Sequence, residues 1–154
     1  MGIYTAQVLW ERGDAPFVDN RFSRRHTLKF DGGVEVVGSA SPLVLPPPMS
    51  EAAALDPEEA YVGALSSCHM LFFLLIAAHR KYRVDQYEDN ASGVLEIGAD
   101  EKLVMTRITL RPYASFSGSK LPTSDDIDAI HDRAHARCFL ANSVLTAIVC
   151  EPVY

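Results

Sequence analysis

Three cysteines carry the most reactive side chains of this sequence: Cys68 in Leu65-Ser66-Ser67-Cys68-His69-Met70, Cys138 after Ala134-His135-Ala136-Arg137, and Cys150. A cysteine reacts as its thiolate, so a working one needs a cation or a helix N-terminus beside it. Cys68 falls in the middle of an apolar run and too deep in its helix to use the N-terminal dipole. Its neighbour His69 would sit about 100° further round that helix, pointing away from the sulfur. The activating cation must therefore come from another segment, and the polar loop with Arg21, Arg24 and Arg25 is the natural source. Taken alone, a buried helical cysteine is more often a small core residue than a nucleophile. Packing is also the expectation for Cys150, which lies in a terminal strand with no local activator. His131, His135 and Cys138 form H-x3-H-x2-C, a spacing that can hold zinc. No fourth ligand accompanies them and no glycine-rich phosphate loop is present, so neither a metal nor a cofactor is expected.

The elements that must position these residues follow from pattern. Tyr4 to Trp10, His26 to Phe30 and Val34 to Val37 read as strands, with Asp31-Gly32-Gly33 as a hairpin turn. The intervening RGDAPFVDNRFSRR is polar and turn-rich, a loop able to carry function. SASPLVLPPPMSEAAALDP, with Pro46 to Pro48 consecutive, predicts a stiff extended connector. Asp56-Pro57-Glu58-Glu59 then supplies an N-cap, a proline at the first helical position and an acidic first turn. The helix it opens should run to about Arg80 to Tyr82, where His79, Arg80 and Lys81 suit the negative end of the dipole. Being apolar on every face, this helix must be surrounded by protein. Val84 to Tyr87, Ala91 to Ile97 and Leu103 to Pro112 read as an antiparallel sheet with one wet face. SFSGSKLPTS is a loop, Thr123-Ser124-Asp125-Asp126 opens a second helix to about Arg137, and Ser143 to Val149 closes the chain as a strand. Strands in runs joined by short turns make the class α+β. One all-apolar helix needs more cover than one sheet gives, which points to an intertwined dimer with two such helices back to back.

Totals exclude several functions. The 154 residues suit a single domain spanning 1–154, and a formal charge of −6 with no basic patch argues against nucleic acid or an anionic membrane as partner. Residues 60 to 78 are apolar over about the 20 residues a bilayer requires. Ser66, Ser67, Cys68 and His69 would fall at its midplane, so a buried helix of a soluble protein is expected. The N-terminal MGIYTAQVLWERGD has neither a basic leader nor an apolar run, and three cysteines are too few for a secreted disulfide scaffold. A reducing cytoplasmic location is the expectation.

Asp56-Pro57-Glu58-Glu59-Ala60, the Leu65 to Met70 run, and Ala134 to Cys138 followed by Asn142-Ser143-Val144 together resemble the OsmC/Ohr family of thiol peroxidases. The likeness extends over almost the whole chain and includes the order of strands and helices. It implies the OsmC-like fold, a long central helix wrapped by antiparallel sheets in an intertwined homodimer with two sites at the interface. It also implies that Cys68 is the peroxidatic thiol, oxidised to sulfenic acid, and that Cys138 is the resolving thiol that closes a disulfide with it. A small dithiol of dihydrolipoyl type would reduce that disulfide. The substrate would be an organic hydroperoxide or hydrogen peroxide, the former suited to the apolar surroundings of Cys68. The family's glutamate at the helix start matches Glu58, ten residues before Cys68. For its loop arginine, ungapped counting from the hairpin lands on Ser23; Arg24 is nearest, with Arg25 and Arg21 behind it. Phe139 stands where the family has proline, and Ser66-Ser67 where it has small alanines, which marks a divergent branch. The alternative from another class is a non-catalytic OsmC-like module that binds a small apolar ligand or senses redox state.

Helix geometry adds a constraint. Glu58 and Cys68 would be about 15 Å apart along the axis and about 80° apart around it, so Glu58 is expected to serve the Cys68 of the other subunit.

Overall fold

The hairpin signalled by Asp31-Gly32-Gly33 forms as expected in the computed structural model, which describes all residues 1–154. Gly33 takes a φ of 83° in the turn, a left-handed conformation that glycine adopts without strain. β2 (His26–Phe30) pairs with β3 (Glu35–Gly38), and β1 (Ala6–Leu9) pairs with the other edge of β2, both antiparallel. Together with the segment to Ala60 they make the first of two structural units, Met1–Ala60; the second is Tyr61–Tyr154.

The proline-rich connector is not extended. Val44 and Leu45 donate to the Ser41 carbonyl and Met49 to that of Pro46, so successive turns fold the segment back on itself. Fixed proline φ angles favour turns as readily as extension, and Leu55 then bridges in parallel to Gly38. The long helix, α1 (Pro57–His79), opens with the expected cap: Asp56 Oδ1 accepts from Glu59 N at 2.7 Å and Glu59 Oε2 accepts from Asp56 N at 3.3 Å. It stops at His79, short of the expected end. Lys81 takes φ 66° and the amides of Lys81 and Tyr82 turn back to the carbonyls of Ala78 and Ala77, a reversal usually given to glycine.

In the second unit β4 (Arg83–Asp89) pairs with β7 (Pro112–Ser117), and β5 (Ser92–Ile97) with β6 (Leu103–Leu110), all antiparallel. β7 falls partly in the stretch read as a loop. Its serines and proline hide an apolar set, Ala114 and Phe116, that packs on the core. β8 (Ala147–Cys150) adds to β6 in parallel, unlike the all-antiparallel sheet expected. The crossover that a parallel pair requires runs through α2 (Ser124–Arg137). Thr123 and Asp126 form a capping box at the start of α2, where the sequence placed it. The core has two centres: Phe73, Ile76 and Ala77 of α1 against Ile130 and Ala134 of α2, and Leu65 of α1 against Ile108 and Leu110 of β6.

Within one chain α1 is not enclosed on every side. Leu65, His69, Phe73, Ile76 and Ala77 make a buried stripe, while Leu71 is 61% and Leu75 43% exposed.

Candidate active site

Cys68 and Cys138, seventy residues apart in the chain, meet in the second unit with Sγ atoms 2.7 Å apart. Both are free thiols. Helix spacing explains why Cys68 is reachable: it lies one step off the buried stripe, in line with Phe72 and Leu75, and is only partly covered. Cys138 is the C-cap of α2, buried, in extended conformation, with its amide bonded to the His135 carbonyl. The chain leaves α2 at this point and folds into a 3-10 turn at Ala141–Ser143, where the Ala141 amide donates to Cys138 Sγ at 3.4 Å.

The two thiols are not equivalent. Burial, and then the hydrogen bond to Cys68, push the Cys138 thiol up to about 11, so it keeps its proton at neutral pH and donates it toward Cys68. Of the pair, Cys138 is buried and Cys68 is the accessible sulfur. Apolar groups flank the pair. Phe139, 71% exposed, meets Phe72 edge-on with ring centroids 5.0 Å apart, and Leu71 and Leu140 are also open. Where the family pattern has proline after this cysteine, Phe139 adds an aromatic wall. The Ser66 hydroxyl donates to Asp89 Oδ2 at 2.5 Å, and Asp89 Oδ1 accepts the Arg111 amide at 2.6 Å, which ties α1 to the start of β7. A serine in place of alanine therefore has a structural duty here.

Arg21, Arg24, Arg25 and Glu58 belong to the first unit. Arg24 Nη1 donates to the carbonyls of Asn20 (3.1 Å) and Phe22, Nη2 donates to Asn20 Oδ1, and the guanidinium lies 3.8 Å above the Phe22 ring. None of these partners carries a negative charge. Arg25, by contrast, is paired with the Glu51 carboxylate at 2.5 Å. The loop itself is anchored by Trp10, Phe17 and Phe22, with Phe17 and Phe22 stacked at 4.5 Å and the Trp10 indole donating to the Ser23 carbonyl. Glu59, not Glu58, closes the helix cap, so within its unit Glu58 has no hydrogen-bond partner.

The zinc spacing read from α2 does not come together. His135 is exposed and Cys138 faces Cys68, whereas His131 turns inward to His69, with Nδ1 2.9 Å from His69 Nε2. Cys150 Sγ lies 3.8 Å from the same His69 nitrogen. Sequence reading missed this trio because its members sit on three elements, and a lone histidine on an apolar helix has no local signature.

The sequence matches the model of the OsmC-like protein family over residues 50–152, and the chain belongs to that family. An OsmC-like protein of unknown function from Vibrio cholerae shares 49% identity and superposes with a TM-score of 0.98, over 99% of this chain and all of that one. The organic hydroperoxide resistance protein of Elizabethkingia anophelis is 13% identical with a TM-score of 0.72, over 99% of this chain and 94% of that one. For organic hydroperoxide resistance protein OhrB of Bacillus subtilis the values are 14% and 0.68, over 99% and 98%. At that identity the last two show a common fold. No curated protein matched the sequence. The α+β class read from the residues and the OsmC-like fold implied by the resemblance are the ones observed.

Proposed function

We propose that the protein is a cysteine-based peroxidase for organic hydroperoxides, working in the cytoplasm as an intertwined homodimer. The observation that carries this reading is the meeting of Cys68 and Cys138 at 2.7 Å, both free thiols, with the exposed apolar side chains of Phe139 and Leu140 beside Cys138. The Cys68 thiolate attacks the terminal peroxide oxygen: the S–O bond forms, the O–O bond breaks, and the alcohol leaves with a proton. Cys138 then attacks the sulfenic sulfur, the S–S bond forms and water leaves with the second oxygen and the Cys138 proton. A small dithiol returns both cysteines to thiols and is itself oxidised to a disulfide.

The uncompensated charge of Arg24 makes it the favoured cation for the thiolate over Arg25, whose charge Glu51 already balances. Glu58, free within its unit, orients that arginine from the opposite subunit. The exposed Leu71 and Leu75 on α1 support the dimer, since such a face on a central helix requires a partner.

Consumption of cumene hydroperoxide with dihydrolipoamide as reductant tests the reading. Wild type should turn over and Cys68→Ser should not. Equal rates in the two, or no turnover of any peroxide by wild type, would leave a ligand-binding module in its place.

A further inference from the structure

His69 of α1, His131 of α2 and Cys150 at the end of β8 form a group the thiol pair does not use. Both histidines are almost fully buried, at 1% and 3% exposure. The three donor atoms, His69 Nε2, His131 Nδ1 and Cys150 Sγ, all lie within 4.8 Å of one another, with His69 Nε2 2.9 Å from His131 Nδ1 and 3.8 Å from the sulfur. A tetrahedral zinc ion with nitrogen at 2.0–2.1 Å and sulfur at 2.3 Å spaces these donors by about 3.3–3.6 Å. The two ring nitrogens meet head-on at 2.9 Å, so holding an ion requires the pair to part by about half an ångström and both rings to tilt toward Cys150 Sγ, which lies within 4.8 Å of each. The imidazole planes are within 10° of parallel, and Phe73 stacks on His131 with centroids 4.4 Å apart, so the walls that fix the rings are already in place.

We propose that His69, His131 and Cys150 supply three donors to one thiophilic transition-metal ion, zinc(II) or an ion of similar preference, with a water in the fourth position, and that this ion clamps β8 to the two helices. One further observation agrees: Asp89, Asp132, Asp128 and Glu151 set a negative field at Cys150, which favours a dication beside it. On binding, the Cys150 proton passes to solvent. The proton between the two rings moves to the outer nitrogen of whichever ring carries it; on His69 that is Nδ1, which is buried and has no partner.

Reduced, chelator-treated full-length protein titrated with zinc(II), and in parallel with cobalt(II), reads the site. The expectation is one ion per chain, a thiolate-to-cobalt charge-transfer band, and loss of both in Cys150→Ser and His131→Gln. Binding should persist in the Cys68→Ser/Cys138→Ser double variant and in His135→Ala. X-ray absorption on the cobalt form of otherwise unaltered protein should show one sulfur and two imidazole donors, which keeps the test decisive should the buried variants fail to fold. Two sulfur donors, loss of binding in the double variant or in His135→Ala, or no bound ion in wild type would each overturn the proposal.

Discussion

At the scale of single residues the account turns on the unequal standing of two cysteines. Cys138 holds its proton up to about 11, against an ordinary 9.0, because it is buried and bonded to Cys68. This has a sign in stability. The folded state keeps the Cys138 proton while the unfolded state loses it, so the contribution is fully present below pH 9.0 and is lost as pH rises from there through about 11. Urea unfolding of wild type and Cys138→Ala between pH 8 and 10.5 should show a steeper alkaline decline for wild type; parallel curves would contradict the assignment. Which thiols mattered was legible in the sequence, through the motifs around them. Their inequality was not, because it depends on Cys138 capping a helix beneath Phe139 and against Cys68. The His69–His131–Cys150 trio was likewise illegible, as its contacts are all long-range and the local H-x3-H-x2-C spacing pointed to a different set.

At the scale of elements, α1 and α2 hold the thiols at fixed distance, and their local signals were strong. The Thr123 cap of α2 and the proline start of α1 fall at the residues the sequence indicated. What failed was β7, whose serine-rich sequence conceals Ala114 and Phe116 packed against the core, and the parallel β8, whose direction follows from the crossover and not from its residues. Thr123→Ala should cost about 1 kcal/mol in thermal or chemical unfolding. The backbone and hydroxyl of Thr123 also hold the Asp126 carboxyl below its usual range, so this part of the cap's contribution fades as pH falls through the carboxylate region. Phe73→Ala, at a side chain with no exposure, should cost about 3–5 kcal/mol, and the half-buried Phe72 considerably less. Similar losses at the two positions would mean that the core is not centred where Phe73 meets Ile130.

At the scale of the whole molecule, α1 is apolar beyond what one chain covers, and from composition alone a second copy was the way to cover it. Under the proposed pairing, wild type should sediment as a dimer and Leu75→Asp as a monomer; a monomeric wild type or an unchanged mass in the variant would remove that argument. The cross-subunit role of Glu58 has its own test. Glu58→Gln and Cys68→Ser homodimers should each be nearly inactive, yet mixing them through denaturation and refolding should restore on the order of a quarter of wild-type activity. Half the refolded dimers would be mixed, and each would hold one complete site. No recovery would place Glu58 beside its own Cys68.

The claim beneath all of these is that Cys68 and Cys138 form a redox pair, and non-reducing peptide mapping after one equivalent of cumene hydroperoxide tests it most directly. The account predicts a Cys68–Cys138 cross-link, with Cys150 still a free thiol and the link reversed by dihydrolipoamide. Cys68→Ser should show no cross-link, and Cys138→Ser should stop at the sulfenic acid. Wild-type protein whose cysteines all remain reduced, or whose cross-link joins Cys150, would contradict it.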